Sequence, residues 1–310
     1  IFWRLDYHYF DGRVAWAGVA IAIGSLAAIL IAGGFRWVRI GGFSIQPSEF
    51  ARVALVVFLA SYLSRKEHAL GSRQTVYIVP GLVSLLIAGL VVLQPNLSMA
   101  VLIVLLAVGV LFLAGLRKRW ILAGWGLAVL AALLVMKPYQ WRRLFAFFGY
   151  GTAGADGYQV GQSMTAVGSG GILGLGIGNG LQKYFFLPFP HTDFILGVVG
   201  EETGLVGITL LLGTYTVLIM MGIVTARRAT DRFGALLAAG LTWNLAMNVL
   251  LHGLVNFGMG PVTGVPLPFL SYGGSSLMAN LLAMGILLSV ARRAVSARTS
   301  DWSTFSGNRR

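Results

Sequence analysis

Five strongly apolar stretches of this chain carry no charged side chain: Val14 to Phe35, Gln74 to Leu116, Trp120 to Met136, Thr203 to Ala226 and Phe233 to Ala291. A helix needs roughly 20 apolar residues to cross about 30 Å of hydrocarbon while satisfying its own backbone, so the longest stretches must each hold two spans. Gln94-Pro95-Asn96 divides one and the Pro- and Gly-rich segment Gly258 to Gly274 divides the other, because proline ends helices and glycine relaxes them. A shorter helix is expected from Ser48 to Leu63, with Glu49 and Arg52 near its start. The expectation is an all-α polytopic membrane protein with about eight transmembrane helices. Residues 1–294 form one membrane domain, 137–193 a large extracytoplasmic loop and 295–310 a polar, disordered cytoplasmic tail. Composition agrees, with 57% hydrophobic and only 11% charged residues, against about 25% charged in soluble domains.

The net charge of +13 reads as topology in such a chain, with no nucleic acid as partner. With the first residues placed on the cytoplasmic side, alternating connections put sixteen Lys and Arg residues there. Six fall opposite and Arg52 lies inside a span, accounting for all 23. The absence of cysteine removes disulfides, thiolate metal sites and thiol nucleophiles. His8, His68, His191 and His252 are too scattered for a histidine metal centre.

Glu49 and Arg52 are three residues apart and share a helix face, so they are expected to pair, either as a structural ion pair or as part of a polar substrate cavity. Asp193 stands where the long loop meets the apolar run Phe194 to Gly200. There it is placed to take a proton from a hydroxyl nucleophile, or to cap the helix that follows. Glu201 and Glu202, two turns on, read as structural. Arg142, Arg143 and Lys183 gather positive charge in the loop, which suits a pyrophosphate or a lipid headgroup. The glycine-dense stretch Gly168 to Gly180 offers backbone N–H groups to the same anion. Gly149 to Gly154 matches GxGxxG, but no strand–helix–strand unit surrounds it, so a dinucleotide site is rejected.

In order along the chain come Arg36-Trp37, Gln46-Pro-Ser-Glu-Phe50, Gln94-Pro-Asn-Leu97, Tyr139 to Arg143, Gly157-Tyr-Gln159, Gln162-Ser163, His191-Thr-Asp-Phe-Ile195, Glu201-Glu202 and Gly264-Val-Pro-Leu-Pro-Phe-Leu-Ser-Tyr-Gly-Gly-Ser-Ser276. Together these segments resemble the SEDS family (shape, elongation, division and sporulation) across the whole chain. The resemblance implies a bacterial inner-membrane glycosyltransferase that polymerises lipid II into glycan strands and releases undecaprenyl pyrophosphate. Its implied partners are a class B penicillin-binding protein, a transpeptidase, and membrane lipids. On this resemblance Asp193 is the catalytic residue. Trp37, Glu49, Arg52, Arg142, Arg143, Lys183, His191 and Ser275 bind substrate, no cofactor is assigned, and a divalent cation is a possible aid to the leaving group. Gly264-Val-Pro-Leu-Pro and Gly168-Ser-Gly-Gly171 look more like the RodA branch, which serves elongation and cell shape, whereas Gly178-Asn-Gly180 and Gln182-Lys183 look like FtsW. Two departures stand out: Arg52 replaces the usual lysine, and Asn96 replaces a common aspartate. Relatives usually have ten spans. A lipid II flippase and a noncatalytic transpeptidase scaffold are the alternative readings.

Overall fold

The computed structural model describes residues 2–33, 36–40, 43–66, 74–117, 155–182 and 191–307, with a few isolated positions between 119 and 141. The architecture is helical: α1 (Arg13–Ile31), α2 (Pro47–Arg65), α3 (Ile78–Leu93), α4 (Leu97–Leu113), α5 (Ala155–Gly170), α6 (Ile195–Arg228), α7 (Arg232–Asn256) and α8 (Gly274–Gly307). Among the described residues, α1, α2, α6, α7 and Gly274–Ser296 of α8 are long and apolar enough to cross a membrane, and α3 and α4 are shorter apolar helices. The expected span Trp120 to Met136 lies almost wholly outside the described residues. One small hairpin interrupts the all-helical pattern, with β1 (Val38–Ile40) antiparallel to β2 (Phe43–Ile45).

Helix boundaries follow local chemistry. Pro47 opens α2, where its missing N–H costs nothing, and Glu49 sits in the first turn, next to the positive end of the helix. Asn96 caps α4 by accepting from the Met99 N–H at 3.4 Å, so the amide at this position performs a cap that an aspartate would also perform. Asp231 caps α7 through the Gly234 N–H at 3.1 Å. Two expectations are corrected. The long connection contains a helix, α5, and the end of the chain beyond Ala294 continues α8 to Gly307, since Val295 to Ser306 contains neither proline nor glycine to stop it.

α2 is the centre of the bundle, packed against α1, α4 and α7. Leu55, Phe58, Leu59 and Leu63 are fully buried, and Trp16 of α1 meets Phe58 edge to face at 4.8 Å. α4 and α7 approach closely because Gly109 has no side chain. A Cβ there would stand 2.1 Å from Trp243 Nε1, which instead donates to the Leu105 carbonyl at 3.1 Å.

Among the described residues, α6 and α7 meet at Asp193 at one end, and at the other their junction at Thr230 and Asp231 meets Tyr7, on the side where α2 ends at Arg65. At the Arg65 end Asp11 accepts from Arg65 at 2.7 Å, Asp6 pairs with Arg293, and Tyr7 donates to Asp231.

Candidate active site

The start of α6 fixes Asp193. The N-cap of α6 is Phe194, which makes no side-chain cap bond, so the capping position is one residue beyond Asp193. The three residues before Phe194 are tied to the Gly258–Gly274 loop and to the end of α7. Tyr272 N–H donates to the His191 carbonyl at 2.8 Å, Ser271 Oγ to the Thr192 carbonyl at 2.6 Å, and Asn256 Nδ2 to the Asp193 carbonyl at 3.2 Å. The half-buried Asp193 side chain lies against Gly264, with Oδ2 only 3.6 Å from where a Cβ on that glycine would stand.

The loop facing Asp193 is held in a strained form. Phe269 adopts φ +66°, a region costly for a bulky residue, of order 1–3 kcal/mol. Bonds on both sides of it sustain the conformation: Tyr215 donates to the Pro268 carbonyl, and Leu267 N–H donates to Ser271 Oγ at 2.9 Å. His252 Nδ1 lies 2.9 Å from the Val265 carbonyl and fastens the loop to α7.

A polar stripe runs along α7 beneath this loop. Asn244, Asn248, His252 and Asn256 recur every fourth residue, all buried, and therefore share one face. Of these, sequence reasoning named only His252, as one of four histidines too scattered for a metal centre; the period of four within an apolar helix was the available signal. Glu49 and Arg52 join the stripe. They form the expected ion pair, both 1% exposed, and Arg52 Nη1 donates to Asn248 Oδ1 at 2.6 Å. Asn248 and Asn256 are eight residues apart, about 12 Å along a helix, so the ion pair sits two turns deeper than the group that holds Asp193. Ser48 Oγ, Arg52 Nε and His252 Nε2 are buried without a hydrogen-bond partner. Buried polar atoms of this kind are accounted for by water or ligand.

Other expected site residues take different places. Trp37 is 48% exposed, just before β1, and the His191 side chain is exposed. Ser275 is buried and uses its hydroxyl structurally, accepting from Gln46 N–H at 2.9 Å and donating to the Ser44 carbonyl at 3.0 Å; it joins α8 to the hairpin and the start of α2. Arg142, Arg143 and Lys183 lie outside the described residues. Among the described residues no group of three His, Asp or Glu side chains comes together to hold a metal ion.

The glycine-dense stretch proves to be a packing device rather than an anion nest. Its N–H groups at Gly174, Leu175, Gly176 and Asn179 donate to the carbonyls of Gly170, Glu201, Glu202 and Gly176. Glu201 accepts from Leu181 N–H at 2.9 Å and Gln182 N–H at 3.2 Å, which confirms its structural reading. The loop docks where α6 breaks: Gly204 has φ +65°, and a Cβ there would stand 2.5 Å from the Ile172 carbonyl oxygen. α6 is therefore a short segment led by Asp193 and a longer membrane segment.

A cavity of about 620 Å³ lies at the Arg65 end, lined by Arg4, Asp6, Thr230, Ser289, Arg292 and Arg293 among others. Its carboxylate is already paired with Arg293, and it is separated from Asp193 by most of the length of α8.

Known proteins share this arrangement. The family described as "Cell cycle protein", comprising FtsW, RodA and SpoVE, matches residues 7–296. The chain is 40% identical over 269 residues to "Probable peptidoglycan glycosyltransferase FtsW" of Geobacter sulfurreducens, covering 86% of this chain and 72% of that protein. It is 39% identical over 264 residues to "Stage V sporulation protein E" of Bacillus subtilis, covering 84% and 72%. A chain of a peptidoglycan synthase complex, solved in work on the coordination of polymerization and crosslinking, superposes with a TM-score of 0.77 at 30% identity, covering 94% of this chain and 84% of that one. RodA of Thermus thermophilus superposes with a TM-score of 0.65 at 30% identity, covering 90% and 78%. The match runs from Tyr7, ahead of α1, to Ser296 at the end of the last described span, and the chain belongs to the FtsW, RodA and SpoVE family of polytopic bacterial membrane proteins.

Proposed function

We propose that this glycosyltransferase polymerises lipid II, with Asp193 as the general base. The carrying observation is the half-buried Asp193 carboxylate at the head of α6, with its own carbonyl held by Asn256 and the preceding Thr192 carbonyl by Ser271. The carboxylate takes the proton from the 4-hydroxyl of the acceptor sugar. That oxygen attacks the anomeric carbon of the donor, the bond to the undecaprenyl pyrophosphate oxygen breaks, and the electron pair leaves with the pyrophosphate. Arg142, Arg143 and Lys183 are assigned to the leaving group, through bidentate guanidinium contacts and a point charge, with a divalent cation as a further candidate. Trp37 and His191 are assigned to the sugar and lipid portions, and Glu49 and Arg52 to the polar floor beneath.

Asp193 is assigned to the extracytoplasmic face, because the basic clusters gather at the Arg65 end. A class B transpeptidase is the proposed partner, in line with the synthase complex that this chain resembles. Elongation is favoured by Gly264-Val-Pro-Leu-Pro and Gly168-Ser-Gly-Gly171. Restoration of rod shape in an elongation mutant supports it, and rescue of a filamenting mutant instead assigns the chain to division.

The direct test is glycan synthesis from lipid II by the purified chain, with and without transpeptidase and divalent cation, comparing wild type with Asp193→Asn. Wild-type product that disappears in the folded variant is the expected result. A second reading, a lipid II flippase, draws on the break in α6 at Gly204 and the buried Glu49–Arg52 pair. Translocation in proteoliposomes without glycan product favours it over polymerisation.

A further inference from the structure

The carboxamide of Asn256, the last residue of α7, is 0% exposed and joins three helices. Its Oδ1 accepts from Gly197 N–H of α6 at 3.1 Å and from Ser163 Oγ of α5 at 3.2 Å. Its Nδ2 donates to the His252 carbonyl at 2.9 Å and to the Asp193 carbonyl at 3.2 Å. A carboxamide has two N–H donors and two acceptor lone pairs, so all its hydrogen-bonding capacity is used. The orientation is unambiguous, because the flipped amide would set its oxygen against two carbonyl oxygens.

Two of these bonds bracket Asp193. The first turn of a helix has N–H groups with no partner inside the helix, and Phe194 supplies no side-chain cap. Asn256 supplies a side-chain acceptor from another helix at Gly197, whose N–H it shares with the Phe194 carbonyl at 3.0 Å. The same amide holds the carbonyl of Asp193 itself. The peptide group leaving Asp193 and the turn that follows are thus fixed by one neutral side chain, 63 residues away in sequence. The Asp193 side chain is turned toward Gly264, and Asn256 acts on the backbone that carries it without itself bringing a charge.

We propose that Asn256 is a positioning residue for Asp193, setting the placement of its carboxylate for proton transfer. The proposal rests on the reading of Asp193 as general base. Misplacement of a reacting group by about 1 Å can cost about 10²-fold in rate, and the loss of the Asn256 donor acts at this level.

The experiment uses the full chain in lipid II polymerisation, with rates expressed per folded protein. Asn256→Asp keeps the side-chain volume and the acceptors for Gly197 and Ser163 but removes the donor to Asp193; Asn256→Ser removes it with a smaller side chain. Both variants are expected to lower kcat about tenfold or more, with KM for lipid II within about twofold. Asp193→Glu displaces the carboxylate by one methylene, and in that background Asn256→Asp is expected to cost less than about twofold further, because positioning is already lost.

Equal fold-losses in the two backgrounds overturn the proposal, as does unchanged kcat in both Asn256 variants. Failure of both variants to fold assigns Asn256 a structural role and overturns it as well. These results are distinguishable from failure of the base reading, in which Asp193→Asn alone retains wild-type polymerisation.

Discussion

The two ends of the bundle are held by different chemistry. At the Arg65 end the connections are charged: Asp11 with Arg65, Asp6 with Arg293, and Asp231 with Tyr7 and, at 3.6 Å, His8. Among the described residues, the bonds to the carbonyls of Asp193, Thr192 and His191 are neutral, made by Asn256, Ser271 and Tyr272. Exposed ion pairs suit a region that needs only to be held together, because each costs little and contributes little. A neutral cradle fixes a carboxylate in space without adding a formal charge to it. The difference teaches that neutral groups place the backbone of His191, Thr192 and Asp193, whereas at the opposite end the ion pairs are themselves the connections.

The largest effect expected from this contrast is on activity. Asp193→Asn should lower lipid II polymerisation by about 10²–10⁴-fold, with the melting temperature in detergent close to wild type. A variant that polymerises normally breaks the comparison outright, because the cradle would then hold nothing catalytic.

Between the two ends lies the buried pair. Glu49→Gln leaves Arg52 charged, with Asn248 still accepting from it at 2.6 Å, and should destabilise the protein by about 3–5 kcal/mol in thermal unfolding. Replacing Glu49 and Arg52 together by Met should recover most of that. Equal losses in the single and double variants would mean that the two charges are not energetically coupled.

Gly204→Ala comes next, at about 1–3 kcal/mol, because it forces a side chain into a positive-φ position against the Ile172 carbonyl. Faster hydrogen exchange at Leu175 and Gly176 is the local signature. Exchange unchanged at both amides would separate the glycine loop from the break in α6.

The smallest effect belongs to the Arg65 end. Asp11→Asn should cost about 0.2–1 kcal/mol at neutral pH and low salt. Burial works to raise the Asp11 pKa, but hydrogen bonds from Arg65, Ser61 and Gly12 and the Arg65 charge outweigh it and hold the carboxyl below its ordinary 3.8. A depressed carboxylate pKa contributes stability above the unfolded value, and that contribution is lost as pH falls through the folded one. Wild type and Asp11→Asn should therefore converge in stability as the pH falls below about 4. High salt should narrow the same gap, while exchange at the Gly197 amide, held by Asn256, should not respond to it. A salt response of equal size at Gly197 would erase the contrast between the ends.

Much of the framework was legible from local rules. The charge-free runs located α1, α3, α4, α7 and the spanning parts of α6 and α8, and the spacing of Glu49 and Arg52 foretold their pairing. Asp193 was singled out from its place at a loop–span junction and from the family resemblance. Three features were not anticipated. α5 was hidden because Ala155–Gly170 holds four glycines and a weak apolar pattern, and it gains its partner only by packing on α6. The break at Gly204 was hidden because the apolar run continues through it. The glycine stretch was read as an anion cradle because its N–H groups find their acceptors on Gly170, Glu201 and Glu202 only once α6 is in place.

The sequence by itself determined that this is a membrane bundle, which stretches its described spans are drawn from, and which charged residues it carries into or beside the membrane. Those are consequences of hydrophobic burial and backbone satisfaction, which act over a few turns and leave a readable period. Tertiary structure alone decided that Asn256 reaches Asp193, that Asn248 reaches Arg52, and that Ser275 serves the backbone of Ser44 and Gln46. Those contacts join residues separated by 63, 196 and up to 231 positions. A hydrogen bond needs its donor and acceptor within about 3 Å, and only the packed helices bring such distant groups that close.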